Sequence, residues 1–202
     1  MARPYAVSRM WPGQTVVIIG GGASLSLAQI RTIAMKRLAG RCRVIAVNDA
    51  VYPAWWADWL HACDAKWWQW HIQEVQHFSG IKTTVENEVP DGWVDGFLKQ
   101  TGIEGFDPDP SSIRTGGNSV YQAICIAMHA GAARIVLVGV DMRGPHWFGD
   151  HPDKITPNFS IDLAPHFETL KPALAERGVS VVNASPGSAL AAFPLVDLSG
   201  AL

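Results

Sequence analysis

The stretch TVVIIGGGASLSL, Thr15 to Leu27, decides the fold. Five apolar or β-branched residues run into Gly20, Gly21 and Gly22, and Ala23, Ser24 and Leu25 then open an amphipathic stretch. The order reads strand, tight turn, helix. Glycine belongs where backbone must approach a neighbour or a ligand closely, and the first turn of a helix offers free N–H groups and the positive end of its dipole. An anion can sit there, so Gly20, Gly21, Gly22 and Ser24 are candidate nucleotide-binding residues. Leu25 takes the place of the third glycine of the dinucleotide fingerprint and brings a side chain into the helix–strand contact, which weakens a plain NAD reading. The plainer alternative, a strand-to-helix turn of any α/β protein, stays open.

Outward from the turn, apolar residues at 27, 30, 33, 34 and 38 give a helical spacing, with Gly40 as its C-terminal stop. Val44 to Val47 reads as a second strand ending on Asn48 and Asp49, where doubly wound sheets place contacts to a ribose or phosphate. Asp58 to Cys63 reads as a third strand ending on Asp64, followed by a helix from Ala65 to about His77. Residues 80–112 are rich in Gly, Pro and Asp and are expected to form an irregular excursion, with a strand at Lys82 to Val85 and a short helix near Trp93 to Leu98. In RTGGNSVYQAICIAMHAGAARIVLVGVDM, Arg114 to Met142, Val120, Ile124, Ala127 and Met128 form a helical stripe. Gly131 ends that helix, and Arg134 to Val140 is a strand buried on both faces. Thr115, Gly116, Gly117 and Asn118 crowd the helix N-terminus, a second candidate nucleotide contact. A helix interrupted by prolines between Phe159 and Glu176, a strand at Val179 to Asn183 and a turn at 185–190 complete the chain. The expectation is an α/β fold: one Rossmann-like domain over 1–202, three layers about an open, mostly parallel sheet.

Composition bounds the function. At 202 residues with a formal net charge of -2 and 17% charged residues, there is no basic block for nucleic acid or anionic membrane. No apolar run is long enough to span a bilayer. Cys42, Cys63 and Cys125 are scattered, without paired spacing, and suit core thiols in a reducing compartment, so the cytoplasm is expected. Six of the nine tryptophans fall between Trp55 and Trp70, enough apolar area for a core or for a homo-oligomer interface.

Ligands of such sheets bind outside the carboxyl ends of the strands, and the glycine turn, Asn48, Asp49, Asp64, Asp141 and the turn containing Ser185, Gly187 and Ser188 all fall on that rim. DMRGPHWFGDHPD, Asp141 to Asp153, supplies histidines near neutrality in a Gly/Pro loop expected to act as a lid over 143–158. His146 or His151 is the candidate base, and Asp141 is a third candidate catalytic residue. A metal group of His146, Asp150 and His151 lacks a recognised ligand spacing, whereas Asp64 or Asp141 could hold Mg²⁺ through phosphate oxygens. There is no GxSxG elbow and no Walker A motif.

Three segments in order, IIGGGASL with VIAVND, then TGGNSVYQAICIAMHAGAARIVLVGVDM, then VVNASPGSALAAFP, resemble the bacterial sialyltransferases that use CMP-sialic acid and the related domain of archaeal hydroxymethylpterin diphosphokinases. The chain also looks like short proteins encoded by tailed phages and prophages, which would place it in the host cytoplasm. The resemblance implies a Rossmann-like fold and a nucleotide or nucleotide-sugar partner. In the sialyltransferases the first loop reads Gly-Asn-Gly-Pro-Ser; Gly20, Gly22 and Ser24 fit, while Gly21 and Ala23 replace the Asn and Pro. Asn48 matches the Asn after the second strand, Thr115 to Gly117 the Thr-Ser-Gly before the long helix, and Ser185 to Ser188 loosely the turn that cradles the cytosine. The histidine base of the family's lid corresponds to His151 or His146, but its paired tyrosines have no counterpart after Asp141. The reading is a glycosyltransferase of sialyltransferase type needing no cofactor. The alternatives are a Mg²⁺-dependent diphosphokinase of a small heterocycle and a phage nucleotide-binding or structural protein without turnover.

Overall fold

A computed structural model describes residues 1–144, 146–147 and 163–202. Strand β1 (Thr15–Ile19) leads through the glycine turn into helix α1 (Leu27–Leu38), and β2 (Arg43–Val47) returns beside β1 in parallel. β3 (Trp59–His61), α2 (Ala65–Val75), β4 (Ile81–Thr84) and β5 (Gly96–Phe97) extend the sheet outward. β6 (Lys99–Gly102) and β7 (Ser112–Arg114) form a separate two-stranded ladder before α3 (Ser119–His129). β8 (Arg134–Val138) then lies on the other side of β1, and α4 (Lys171–Glu176), β9 (Ser180–Asn183) and α5 (Leu198–Ala201) finish the chain. The main sheet runs β5-β4-β3-β2-β1-β8-β9 with every pairing parallel. Strand order reverses between β1 and β8, so the position at which a doubly wound sheet offers a crevice to ligands falls between Gly20 to Gly22 on one side and Gly139 to Asp141 on the other.

Alternation along the strands divides the core. Val16, Ile18, Ile45 and Leu137 point to the face covered by α3, whereas Val17, Ile19, Val44 and Val138 point to the face covered by α1 and α2. Ile135 to Val138 are fully buried, each contributing roughly 1.5–3 kcal/mol by removal of apolar surface from water. α1 begins at Ser26, whose hydroxyl accepts from Gln29 N while the Gln29 side chain accepts from Ser26 N, a reciprocal capping box. The Trp block is mostly intramolecular: Trp59, Trp67 and Trp68 are buried, and Trp55 is 39% exposed.

The segment read as a helix near Trp93 to Leu98 is instead β5. Asp95 Oδ2 accepts from Lys82 N, Phe97 N donates to Arg3 O, and Tyr5 N donates to Phe97 O. A Cβ on Gly96 would lie 2.5 Å from Arg3 O, so the residue is held between β4 and the N-terminal segment. Pairing on both sides, invisible in a local window, overrides the helical spacing.

Candidate functional site

The glycine turn packs against its own protein. A Cβ on Gly20 would stand 2.7 Å from Gly139 O, and one on Gly139, at φ +66°, 2.6 Å from Gly20 O. A Cβ on Gly22 would meet the Asp141 carboxylate at 2.6 Å. That carboxylate, 8% exposed, accepts from Ser24 N through Oδ2 at 2.8 Å and from the Ser24 hydroxyl through Oδ1. The anion at the end of the β1–α1 loop is thus Asp141, a charge-assisted lock closing the crevice between β1 and β8. Ser185 and Ser188 brace the same strand end: Ser185 Oγ accepts from Val140 N at 2.8 Å and Ser188 Oγ donates to Val140 O at 2.6 Å. Gly187, at φ +69°, lies in that turn beside the Arg143 guanidinium.

An open cleft lies one strand over, at the carboxyl ends of β2, β3 and β4. A cleft of about 620 Å³ is lined by Asn48, by Asp64 to Trp67, Gln69 and Trp70 of α2 and the residue before it, by Glu86 and Glu88 after β4, and by His146. A lobe of about 100 Å³ continues it, lined by Gly21, Val47, Asn48, His146 and Asn118 to Val120. Asn48 and His146 belong to both lobes. Asn48 leaves β2 with φ +50°, an uncommon conformation for a residue with a side chain, and its Oδ1 is buried without a hydrogen-bond partner. His146 bridges to Gly22, its Nδ1 lies 3.2 Å from Gly21 O, and Trp147 N donates to the same oxygen at 3.0 Å. With Nδ1–H donated to Gly21 O, Nε2 is the basic nitrogen.

The structure therefore sorts the candidates. Gly21, Asn48, Asn118, Asp64 and His146 line the cleft; Gly20, Gly22, Ser24 and Asp141 form the lock beside it. Asn118 caps α3, its Oδ1 accepting from Val120 N at 2.8 Å. Thr115, Gly116 and Gly117 hang on the end of β6, Thr115 N donating to Gly102 O and Gly116 N to Ile103 O. Gly116 is at φ +54°, and a Cβ there would fall 2.2 Å from the Tyr121 ring. Asp49 is 5% exposed, and its Oδ2 accepts from Trp67 Nε1 at 3.0 Å, which ties α2 to the end of β2. Asp64 precedes α2 without capping it, and its Oδ2 accepts from the Cys63 thiol at 3.3 Å. Desolvation, reinforced by the Asp64 charge, pushes that thiol up to about 12, far from a nucleophile. His151 and Asp150 lie outside the described residues, as does most of 143–158. Among the described residues, no three His, Cys, Asp or Glu side chains gather closely enough to hold a metal.

One element was not foreseen. Beneath the cleft Trp59 Nε1 donates to Thr83 Oγ1 at 2.7 Å, Thr83 Oγ1 meets His61 Nδ1 at 3.0 Å, and His61 Nε2 meets Gln122 Oε1 at 2.7 Å. Gln122 Nε2 then donates to Thr115 O at 3.3 Å. For the neutral imidazole one proton arrangement satisfies the chain: Thr83 donates to Nδ1, and Nε2–H donates to Gln122. Burial holds the imidazole neutral, its pKa down to about 4. The row ties β3 and β4 to the loop before α3 and fixes the cleft floor. The signal available in the sequence was a glutamine inside an otherwise apolar helix and a histidine near the end of a predicted strand.

No family model and no curated protein matches the chain in sequence. Among solved structures, the MAf glycosyltransferase from Magnetospirillum magneticum AMB-1 is similar to it, with a TM-score of 0.64 over 98% of this chain at 16% identity. The chain spans 36% of the length of that protein, and at this identity the likeness is one of fold. Among the described residues, no helix is long and apolar enough to cross a membrane.

Proposed function

We propose that the chain is a nucleotide-binding transferase domain of glycosyltransferase type, working on a nucleotide-activated sugar in the cleft around Asn48. The observation that carries the reading is Asn48 itself: a residue at the carboxyl end of β2, at positive φ, that lines both lobes and whose Oδ1 is buried without a donor. A buried acceptor left unpaired costs on the order of 1–3 kcal/mol, which a ligand donor recovers. The fold shared with the MAf glycosyltransferase supports the same class, and the segments resembling sialyltransferases add a cytidine nucleotide as first choice.

Transfer proceeds by direct displacement. The acceptor hydroxyl oxygen bonds to the anomeric carbon, the bond from that carbon to the nucleotide phosphate oxygen breaks, and the hydroxyl proton passes to His146 Nε2 or to His151. The leaving phosphate departs with the bonding pair, near the N-termini of α2 and α3, whose dipoles favour it.

A second reading, a Mg²⁺-dependent diphosphokinase, draws on the carboxylates of Asp64, Glu86 and Glu88 in the larger lobe, since phosphate-bound Mg²⁺ needs only one or two protein carboxylates. A thermal-shift panel of CMP, CDP, UDP, GDP, ATP and CMP-sialic acid, with and without Mg²⁺, tests both. A ligand at 100 times its Kd stabilises by about 2.7 kcal/mol, a shift of several degrees. A metal-independent shift with a cytidine nucleotide supports transfer, one requiring Mg²⁺ and ATP supports the kinase, and no shift overturns both.

A further inference from the structure

We infer that Gln122 is a positioning residue of the site: its amide, oriented by His61, holds the Thr115–Asn118 loop in the shape that lines the smaller lobe, a role that rests on the nucleotide-binding reading for what the lobe receives. Gly116 and Gly117 are both left-handed, at φ +54° and +63°, so the chain turns sharply between β7 and α3 on two residues with wide conformational freedom. Asn118, Ser119 and Val120, which follow, form one wall of a lobe of about 100 Å³ whose lining also includes Gly21 and Asn48. A space of that size tolerates little movement of one wall, so whatever fixes the loop sets the fit of the ligand.

The fixed point is the Thr115 carbonyl. It accepts from Asn118 N at 3.0 Å, which closes the turn, and from Gln122 Nε2 at 3.3 Å. Among the described residues, no other side chain bonds it. Gln122 sits in the first turn of α3, its N–H bonded to Asn118 O at 3.2 Å, and its side chain reaches back over the helix end to the residue before the glycines. An amide can turn over, exchanging donor and acceptor, so its sense has to be set from outside. The row beneath the cleft sets it. Trp59 Nε1 can only donate and a backbone carbonyl can only accept, and the four bonds between them run one way: indole to Thr83 hydroxyl, hydroxyl to His61 Nδ1, His61 Nε2–H to Gln122 Oε1, and Gln122 Nε2 to Thr115 O. Reversing the amide would set Gln122 Oε1 against the Thr115 carbonyl, acceptor against acceptor. Trp59, His61, Thr83 and Gln122 are all buried, so no solvent replaces a lost partner.

Three variants of the whole chain separate this role from support of the fold. Gln122→Glu keeps the shape and the acceptor for His61 but sets a second acceptor against Thr115 O; Gln122→Met, of similar length, removes both bonds and serves if the buried charge prevents folding. Thr83→Val cuts the same row at its far end and leaves the Gln122–Thr115 bond in place, so it reports a broken row alone. Urea denaturation reads stability, hydrogen exchange of the Asn118 amide relative to the amides of β8 reads the turn in the ligand-free protein, and calorimetric titration with CMP reads affinity. Both Gln122 variants are expected to speed Asn118 exchange and to raise the Kd for CMP about tenfold, the worth of one hydrogen bond. Thr83→Val is expected to lower stability while Kd and Asn118 exchange keep their wild-type values. Asn118 exchange unchanged in the Gln122 variants, or a Kd that rises as much in Thr83→Val as in them, would overturn the inference. If CMP does not bind the wild type, the cytidine reading falls by itself, and Asn118 exchange alone decides for or against Gln122.

Discussion

Lowering the pH should loosen the protein through His61, and the size of the effect follows from its surroundings. The imidazole is fully buried; desolvation lowers its pKa to about 4, opposed by its hydrogen bonds to Gln122 and Thr83 and by the charge of Asp64. The unfolded chain carries the same histidine near its ordinary value of 6.5. Between those values the unfolded state binds a proton that the folded state refuses, so stability falls as pH drops from 6.5 towards 4 and is unaffected by this group above 6.5. A displacement of that size corresponds to about 3 kcal/mol, or roughly 6–12 °C in Tm for a chain of this length. The assay is urea denaturation across that pH range for the wild type and for His61→Gln, which removes the titration. The variant is less stable throughout, because Thr83 and Gln122 lose a partner, so the slope with pH is the readout. An identical slope in both proteins, or an NMR titration placing His61 near 6.5, would refute the reasoning.

Gly22→Ala should cost about 1–3 kcal/mol in denaturant, because its Cβ meets the Asp141 carboxylate at 2.6 Å, whereas Gly200→Ala, which meets open space, should be near neutral. Asp141→Asn should lower stability by about 1.5–3 kcal/mol through the Ser24 contacts; unchanged stability would contradict the lock between β1 and β8. Burial pushes the thiols of Cys42 and Cys63 up to about 11 and 12 and raises that of Cys125, so Ellman's reagent should find no fast-reacting cysteine before unfolding. One rapid thiol in the native protein contradicts this.

The fold was legible because its signals are local. The apolar run at Thr15 and the stripe from Val120 to Met128 each name an element within a dozen residues, and both form as read. What was hidden depends on residues far apart in the chain. Gly20 and Gly22 are small because Gly139 and Asp141, more than 115 positions later, close against them, and no window around residue 20 contains that reason. Gly96 and Phe97 pair with the N-terminus and β4, and the composition of 93–98 gave no hint of it. Asn48 was legible as a rim residue from its place after a strand, but its unpaired Oδ1 was not. Glu86, Glu88 and Trp70 reach the cleft from elements separated in sequence, and only the sheet order assembles them.

The most direct test of the account is a crystal structure of the protein with the nucleotide that gives the largest thermal shift. The account predicts phosphate and ribose density between Gly21, Asn48 and Asn118, with a donor on Asn48 Oδ1 and with Asp141 still bonded to Ser24. A nucleotide lodged between Gly20 and Gly139, with Asp141 displaced from Ser24, would contradict it.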